Sequence, residues 1–408
     1  MITLQPIPRA LVPIDSAAAA RVSAPNYDEF QGDREIWEAL RENPDCVLAV
    51  TMAHCAVASP AEIGAGDSAE SLARAGANMR HLVGSPLTRE VRRALYCYEI
   101  VDPTRPGIRQ IGLGGLGRTD EIRTASTPSG PIIRNEGVRE PKARGRADLI
   151  EATSAIIGTV NNAVPDASGR FAQTLEAYAD AREPDFEAAD AAGNLHRIWL
   201  VEEPGDVSRM QHLISEEPEA YVADGNHRSA AAALLGYEWF LTVFFPAGRM
   251  GIKAYNRLVA AELPVGELGA VFDPILAPTP SPFQPERTHE IGVYSPETGW
   301  VAFAPREETF DPSDAAGSID HAIVQDQLFA RLLGFADAGD PHLTFVGANK
   351  DAAWLQNEVD EGRAGFAMTL APVTMDQFVA VCRQGRLMPP KSTWFEPKIR
   401  SGLVMALL

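Results

Sequence analysis

The chain has 408 residues, 36 Lys plus Arg against 55 Asp plus Glu, a formal charge of −19 and 45% hydrophobic residues. A chain of this length can bury about three quarters of its unfolded surface, so it needs neither disulfide nor metal to fold, and it has room for two or three domains. The acid excess argues against a sequence-independent grip on nucleic acid or an anionic bilayer, both of which rely on clustered Lys and Arg.

The N-terminal MITLQPIPRALVPID carries three prolines, Arg9 and Asp15 where a secretory signal needs an unbroken apolar run. The expected location is cytoplasmic. Residues 46–58 (CVLAVTMAHCAVA), bordered by Pro44 and Pro60, fall well short of the roughly 20 residues of a membrane helix and read as a buried strand. Residues 68–83 read as a helix capped by Ser68, and 95–101 (LYCYEIV) as a strand closed by Asp102-Pro103. The segment 104–146, with GLGGLGRTD, TASTPSGP and RNEGVREPKARGR, predicts a mobile, loop-rich stretch, and 148–160 a helix.

Further on, 197–202 reads as a strand and 207–214 as a short helix that Asp206 caps. AYVADGNHRSAAAALLGYE reads as strand, turn and helix, and WFLTVFFP as a fully buried strand, together on the scale of a βαβ or related unit. Prolines 274, 278, 280, 282 and 285 mark a hinge. Residues 290–305 follow as a hairpin turning at Pro296 to Gly299, and 318–333 as an amphipathic helix. The expected architecture is an α/β protein with a mixed sheet. Its N-terminal α/β domain (1–275) contains the ADGNHR turn, and its smaller C-terminal lobe (276–408) ends in a tail that folds back on the first.

Three stretches carry candidate chemistry. Asp224, Gly225, Asn226, His227 and Arg228 form a tight polar turn before an alanine-rich helix, where free amides and the helix dipole favour phosphate oxygens. Arg228 can add a bidentate contact, Asp224 can hold a divalent cation, and His227 can donate to a phosphoryl oxygen or relay a proton. The blander reading is a helix cap with a satisfied histidine. Arg134, Arg139, Lys142, Arg144 and Arg146 surround Glu136 and Glu140 with cations suited to a phosphorylated ligand, or form a solvated charge run; Glu136 is the candidate general base. In MPPKSTWFEPKIRSG, Lys391, Ser392, Thr393 and Lys398 either line a pocket or belong to a docked structural tail. Gly112, Gly114, Gly115 and Gly117 lack the strand-turn-helix context of a dinucleotide loop. Cys46, Cys55, Cys97 and Cys382 form no CxxC pair and read as buried thiols, and the histidines show no metal-ligand spacing with one another or with Cys.

ADGNHR at 223–228, AYNR at 254–257 and MPPKSTWFEPKIRSGL at 388–403 resemble the family called domain of unknown function 1015, along nearly the whole chain. The resemblance implies a ParB/sulfiredoxin-like nucleotide-binding core, related to free-serine kinases. It implies a kinase that uses ATP or ADP with Mg²⁺ at Asp224 to phosphorylate the hydroxyl of serine or another small polar metabolite. Glu136, Asp224 and His227 would be catalytic. Gly225, Asn226, Arg228, Lys391, Ser392, Thr393 and Lys398 would bind the nucleotide, and Arg134, Arg139, Lys142 and Arg146 the substrate. A homodimer is the assembly to test. The chain departs from the family pattern where Asn135 replaces His, Val138 replaces Thr, and Ala143 and Gly145 replace acids; Asn226 stands where sulfiredoxins carry their cysteine. The alternatives are a nucleotide-binding regulatory protein without net transfer and a catalytically silent relative. If Asp224 is catalytic alone, Asp224→Ala should abolish turnover and leave the melting temperature near wild type.

Overall fold

In the computed structural model, which describes residues 1–337 and 339–408, the chain divides into two units by its internal contacts. The first comprises Met1–Arg134, Val138–Met250 and Pro397–Leu408, and the second Asn135–Gly137 and Gly251–Glu396. The division expected at 275/276 thus falls at 250/251.

The first unit holds strands β1 (Leu4–Gln5), β2 (Ile7–Pro13), β3 (Thr88–Val101), β4 (Gln110–Arg118), β5 (Ile132–Arg134), β6 (Ala155–Ile156), β7 (Val160–Val164), β8 (Phe186–Ala189), β9 (Leu195–Val201), β10 (Ala220–Asp224) and β11 (Trp239–Pro246). They form one mixed sheet in the order β5-β10-β7-β11-β4-β3-β2, continued by the strand Met405–Leu407 and β6. The pairs β5/β10 and β7/β11 are parallel, whereas β10 and β7 are antiparallel. Because β7 lies between β10 and β11, those two strands run in opposite directions, and the segment expected to resemble a βαβ unit lacks its parallel pair. The helices are α1 (Ser16–Val22), α2 (Asp33–Glu42), α3 (Leu48–Thr51), α4 (Ala69–Val83), α5 (Glu140–Thr153), α6 (Arg170–Asp180), α7 (Pro204–Ser215) and α8 (Asn226–Leu234). None among the described residues is long and apolar enough to cross a membrane.

Several expectations change. Residues 46–58 form α3 and a 3₁₀ turn (Ala53–Cys55), because a short apolar run fits a buried helical turn as well as a strand, and Val47, Leu48, Val50 and Cys55 are buried in either case. The glycine run at 112–117 lies in the buried strand β4: a Cβ on Gly114 would sit 2.0 Å from the Tyr96 ring, and one on Gly112 2.7 Å from Phe245. Those glycines make room for aromatic rings, so part of 104–146 is strand, at Gln110–Arg118 and Ile132–Arg134. The basic stretch is the start of α5, where Ala143, Ala147 and Ile150 repeat at helical spacing and are buried. The helix expected over 148–160 ends at Thr153, with Ser154 in the left-handed region at φ 49°. Ser68 caps α4 as expected, but Glu203 occupies the N-cap of α7, one turn of sequence before Asp206.

The second unit holds β12 (Gly251–Lys253), β13 (Asn256–Val259), β14 (Phe272–Thr279), β15 (Ile291–Ser295), β16 (Gly299–Pro305), β17 (Leu343–Val346), β18 (Phe366–Leu370) and β19 (Trp394–Glu396). Six of them form an antiparallel sheet in the order β14-β16-β15-β18-β13-β17, and β12 pairs with β19. The expected hinge prolines Pro274 and Pro278 lie on β14, at the edge of that sheet, where a missing N–H leaves no ladder bond broken. The expected helix at 318–333 is α-helical over Asp320–Val324 and widens to a π-helical run at Gln325–Leu332.

Candidate active site

Strand β10 ends at Asp224 in the first unit. Gly225 then turns the chain at φ 103° into α8, a conformation that L side chains rarely adopt. Asn226, His227 and Arg228 make up the first turn of α8, whose opening amides have no partner within the helix. The Arg228 side chain lies against two glycines. A Cβ on Gly158 would meet its Cδ at 2.7 Å, and one on Gly225 its Nε at 3.0 Å. One terminal nitrogen donates to Asp224 Oδ2 at 2.5 Å and the other to the Thr159 carbonyl at 2.6 Å. Burial works against the Arg228 charge, yet Asp224 and Asp28 together hold its pKa above the ordinary value.

His227 accepts a hydrogen bond at Nε2 from the Arg139 amide, 3.1 Å away. An accepting Nε2 carries no proton, so the ring is neutral and its proton sits on Nδ1. Arg139 therefore reaches this histidine through its backbone, while its side chain is exposed. Helix α5 brings Lys142, Arg146 and Leu149 onto one face through their four- and three-residue spacing. That face lines a cavity of about 260 Å³ with His227, His54, Thr51 and Tyr27. A smaller cavity of about 50 Å³ shares Tyr27, Thr51, Arg146 and Leu149 with it and adds Arg228, Ile157 and Ser401. The Arg146 guanidinium stands 4.2 Å from the centre of the Tyr27 ring. Lys142, Arg146 and Arg228 thus bring cationic side chains, and His54 and His227 imidazoles, to two adjoining and otherwise largely apolar cavities.

The loop supplying Tyr27 was not singled out from the sequence. Asn26 and Glu29 form a reciprocal capping box, and the Asn26 amide donates to Glu29 at 2.7 Å. Burial raises the Glu29 carboxyl to about 7, opposed by the Asn26 bond and by Lys398 and Arg400, and assisted by Asp28. The capping spacing in APNYDE was the available signal; the cleft itself depends on contacts that no local pattern encodes.

Other expected residues lie elsewhere. Arg134 lines a different cavity with Glu140 and Ser229, and burial lowers its pKa. Lys398 belongs to the first unit, where its charge acts on Glu29. Glu136, Lys391, Ser392 and Thr393 belong to the second unit. There the Lys391 amide donates to Glu136 Oε2 at 3.4 Å, its carbonyl accepts from Arg257 at 3.1 Å, and its ammonium stands 5.2 Å from the Tyr255 ring centre. Lys391 has φ 60°, a left-handed conformation that these contacts hold in place. Ser392 is buried, and its hydroxyl donates to the Pro389 carbonyl at 2.7 Å. The AYNR arginine, Arg257, is buried among the carbonyls of Tyr255, Asn256 and Lys391.

The cleft fits a nucleotide better than it fits Mg²⁺. Small-molecule sites usually occupy about 300–1,000 Å³ and combine apolar walls with a few convergent polar groups, and this cleft approaches that pattern at its lower end. Mg²⁺ takes oxygen ligands in near-octahedral array. Asp224 is paired with Arg228, and among the described residues the turn presents no such oxygen set, so the residues here do not fit Mg²⁺.

Solved structures to which the chain is similar include a free serine kinase variant in complex with ADP, at TM-score 0.38 and 10% identity, covering 69% of this chain and 87% of that one. A conserved hypothetical protein from Pyrococcus furiosus matches at TM-score 0.38 and 10% identity, over 72% and 95% of the two chains. SbnI with a C-terminal truncation, from Staphylococcus aureus, matches at TM-score 0.38 and 12% identity, over 72% and 87%. No curated protein sequence matches. The profile described as "Protein of unknown function (DUF1015)" matches residues 4–328, most of the chain, and the protein belongs to that family.

Proposed function

We propose that the first unit binds a nucleoside di- or triphosphate in its cleft and that the protein transfers a phosphoryl group to the hydroxyl of serine or a related small polar metabolite, on a ParB/sulfiredoxin-like core. One observation carries the reading: Lys142, Arg146 and His227 line one cavity and Arg146 and Arg228 a second that shares Tyr27, Thr51 and Leu149 with it, in a chain of net charge −19. Apolar walls suit a base, and the cations with the opening amides of α8 suit phosphate oxygens. Phosphoryl transfer asks mainly for positioning and charge neutralisation, which such a cleft can supply. In the reaction the acceptor oxygen forms the new P–O bond, the bond from phosphorus to the bridging oxygen breaks, and the hydroxyl proton passes to a base.

The experiment incubates the protein with ATP or ADP and a panel of hydroxy metabolites and follows phosphorus by NMR. A phosphorylated metabolite is expected. Lys142→Met and Arg146→Met should each weaken nucleotide binding about tenfold, which corresponds to about 1.4 kcal/mol. Absence of nucleotide binding would reject the reading. Binding or hydrolysis without a phosphorylated product would instead favour a regulatory nucleotide-binding protein, an alternative favoured by the commitment of Asp224 to Arg228.

A further inference from the structure

Two segments that the sequence keeps apart meet beside the cleft. Helix α2 begins at Asp33, and Trp37 on that helix donates from Nε1 to the Val57 carbonyl at 3.0 Å, fastening α2 to the turn that carries His54 and Cys55. His54 Nε2 stands 3.3 Å from Asp33 Oδ1. Gly66 packs on the opposite side of the imidazole, where a Cβ would lie 3.2 Å from Nδ1, so the ring presents Nε2 to the carboxylate. Cys55 Sγ completes the group, and the three ligand atoms lie within 4.8 Å of one another. His54 and Cys55 are buried, while Asp33 is exposed and free to adjust.

We infer that Asp33, His54 and Cys55 form a binding site for a divalent transition metal of zinc's class, with water as the fourth ligand. Ligand atoms about 2.0–2.1 Å from a tetrahedral ion stand about 3.3 Å apart, which is the spacing His54 and Asp33 already have. The sulfur lies within 4.8 Å of both, so closing on an ion requires a shift of at most about 1 Å. Imidazole, thiolate and carboxylate are a donor set that zinc accepts and that Mg²⁺ and Ca²⁺ do not favour. The metal forms its bond to sulfur as the Cys55 S–H bond breaks and the proton leaves to water. The two anionic ligands then balance the 2+ charge.

The test dialyses the full chain against chelator, titrates it with Zn²⁺, and repeats the titration with Co²⁺ as a spectroscopic probe. One equivalent of metal and a thiolate-to-cobalt charge-transfer band in the near-ultraviolet are expected. Cys55→Ala should remove the band and His54→Gln should weaken binding more than tenfold, while Cys382→Ala should change neither. If Cys55→Ala does not fold, Asp33→Asn, at an exposed position, should still lower affinity about tenfold. No stoichiometric uptake, or uptake indifferent to Cys55, His54 and Asp33, would overturn the inference.

Discussion

Arg228 and Asp224 have 15% and 18% of their side chains exposed, so each depends on the other in a region poor in water. Removing one partner from a buried ion pair leaves an uncompensated charge and typically costs about 3–5 kcal/mol. Asp224→Asn should therefore lower stability by roughly 3 kcal/mol in urea unfolding. This revises the sequence expectation that a change at Asp224 leaves the melting temperature near wild type, because a sequence shows a carboxylate in a turn but not the guanidinium folded onto it. Glu29 supplies a pH effect. Its folded pKa of about 7 lies above the ordinary value of 4.5, so its stabilising contribution is complete below that ordinary value and is lost as pH rises towards 7. Relative to Glu29→Gln, the wild type should lose at most about 3 kcal/mol across that window, read from melting temperatures at each pH.

At the scale of elements, β4 and α5 separate what composition can show from what it cannot. Alternation identified the second half of β3, from Leu95, and a capping serine with late basic residues identified α4, because those signals are local. Four glycines in six positions read as a loop, since the aromatic rings against Gly112, Gly114 and Gly117 come from the neighbouring strands β3 and β11, and Gly115 packs against Leu95 and Leu4. Gly114→Ala tests this directly. Its Cβ would fall onto the Tyr96 ring, and overpacking of a buried strand should cost about 1–3 kcal/mol or more, measured as a lower denaturation midpoint with the slope unchanged. In α5 the charges dominated the reading, although Ala143, Ala147 and Ile150 already carried the helical period. The ADGNHR turn was legible because a strand, a glycine and an alanine-rich helix meet there; the cleft beside it was not, since Tyr27, Thr51 and Leu149 come from distant segments.

For the whole molecule, the two units should respond to pH in opposite directions at two identifiable groups. In the second unit His321 is buried, donates from Nε2 to the Tyr255 carbonyl at 3.2 Å, and has its pKa lowered to about 3 by burial and then by Arg257. A depressed histidine contributes stability above its ordinary value of 6.5 and loses it as pH falls towards 3, whereas Glu29 in the first unit loses its contribution as pH rises. Calorimetry of wild type, His321→Gln and Glu29→Gln from about pH 4 to about pH 7, which covers most of both windows, should show each substitution flattening the dependence of one unit alone. The segment Pro397–Leu408 adds a second kind of constraint. Arg400 binds the Ser23 hydroxyl and carbonyl, each at 3.0 Å, and the strand Met405–Leu407 joins β2 to β6. On the ribosome, every residue of the second unit is therefore translated before the first unit receives this strand. The earlier-made part must wait, with an open sheet margin, for a piece that emerges after its neighbour is complete.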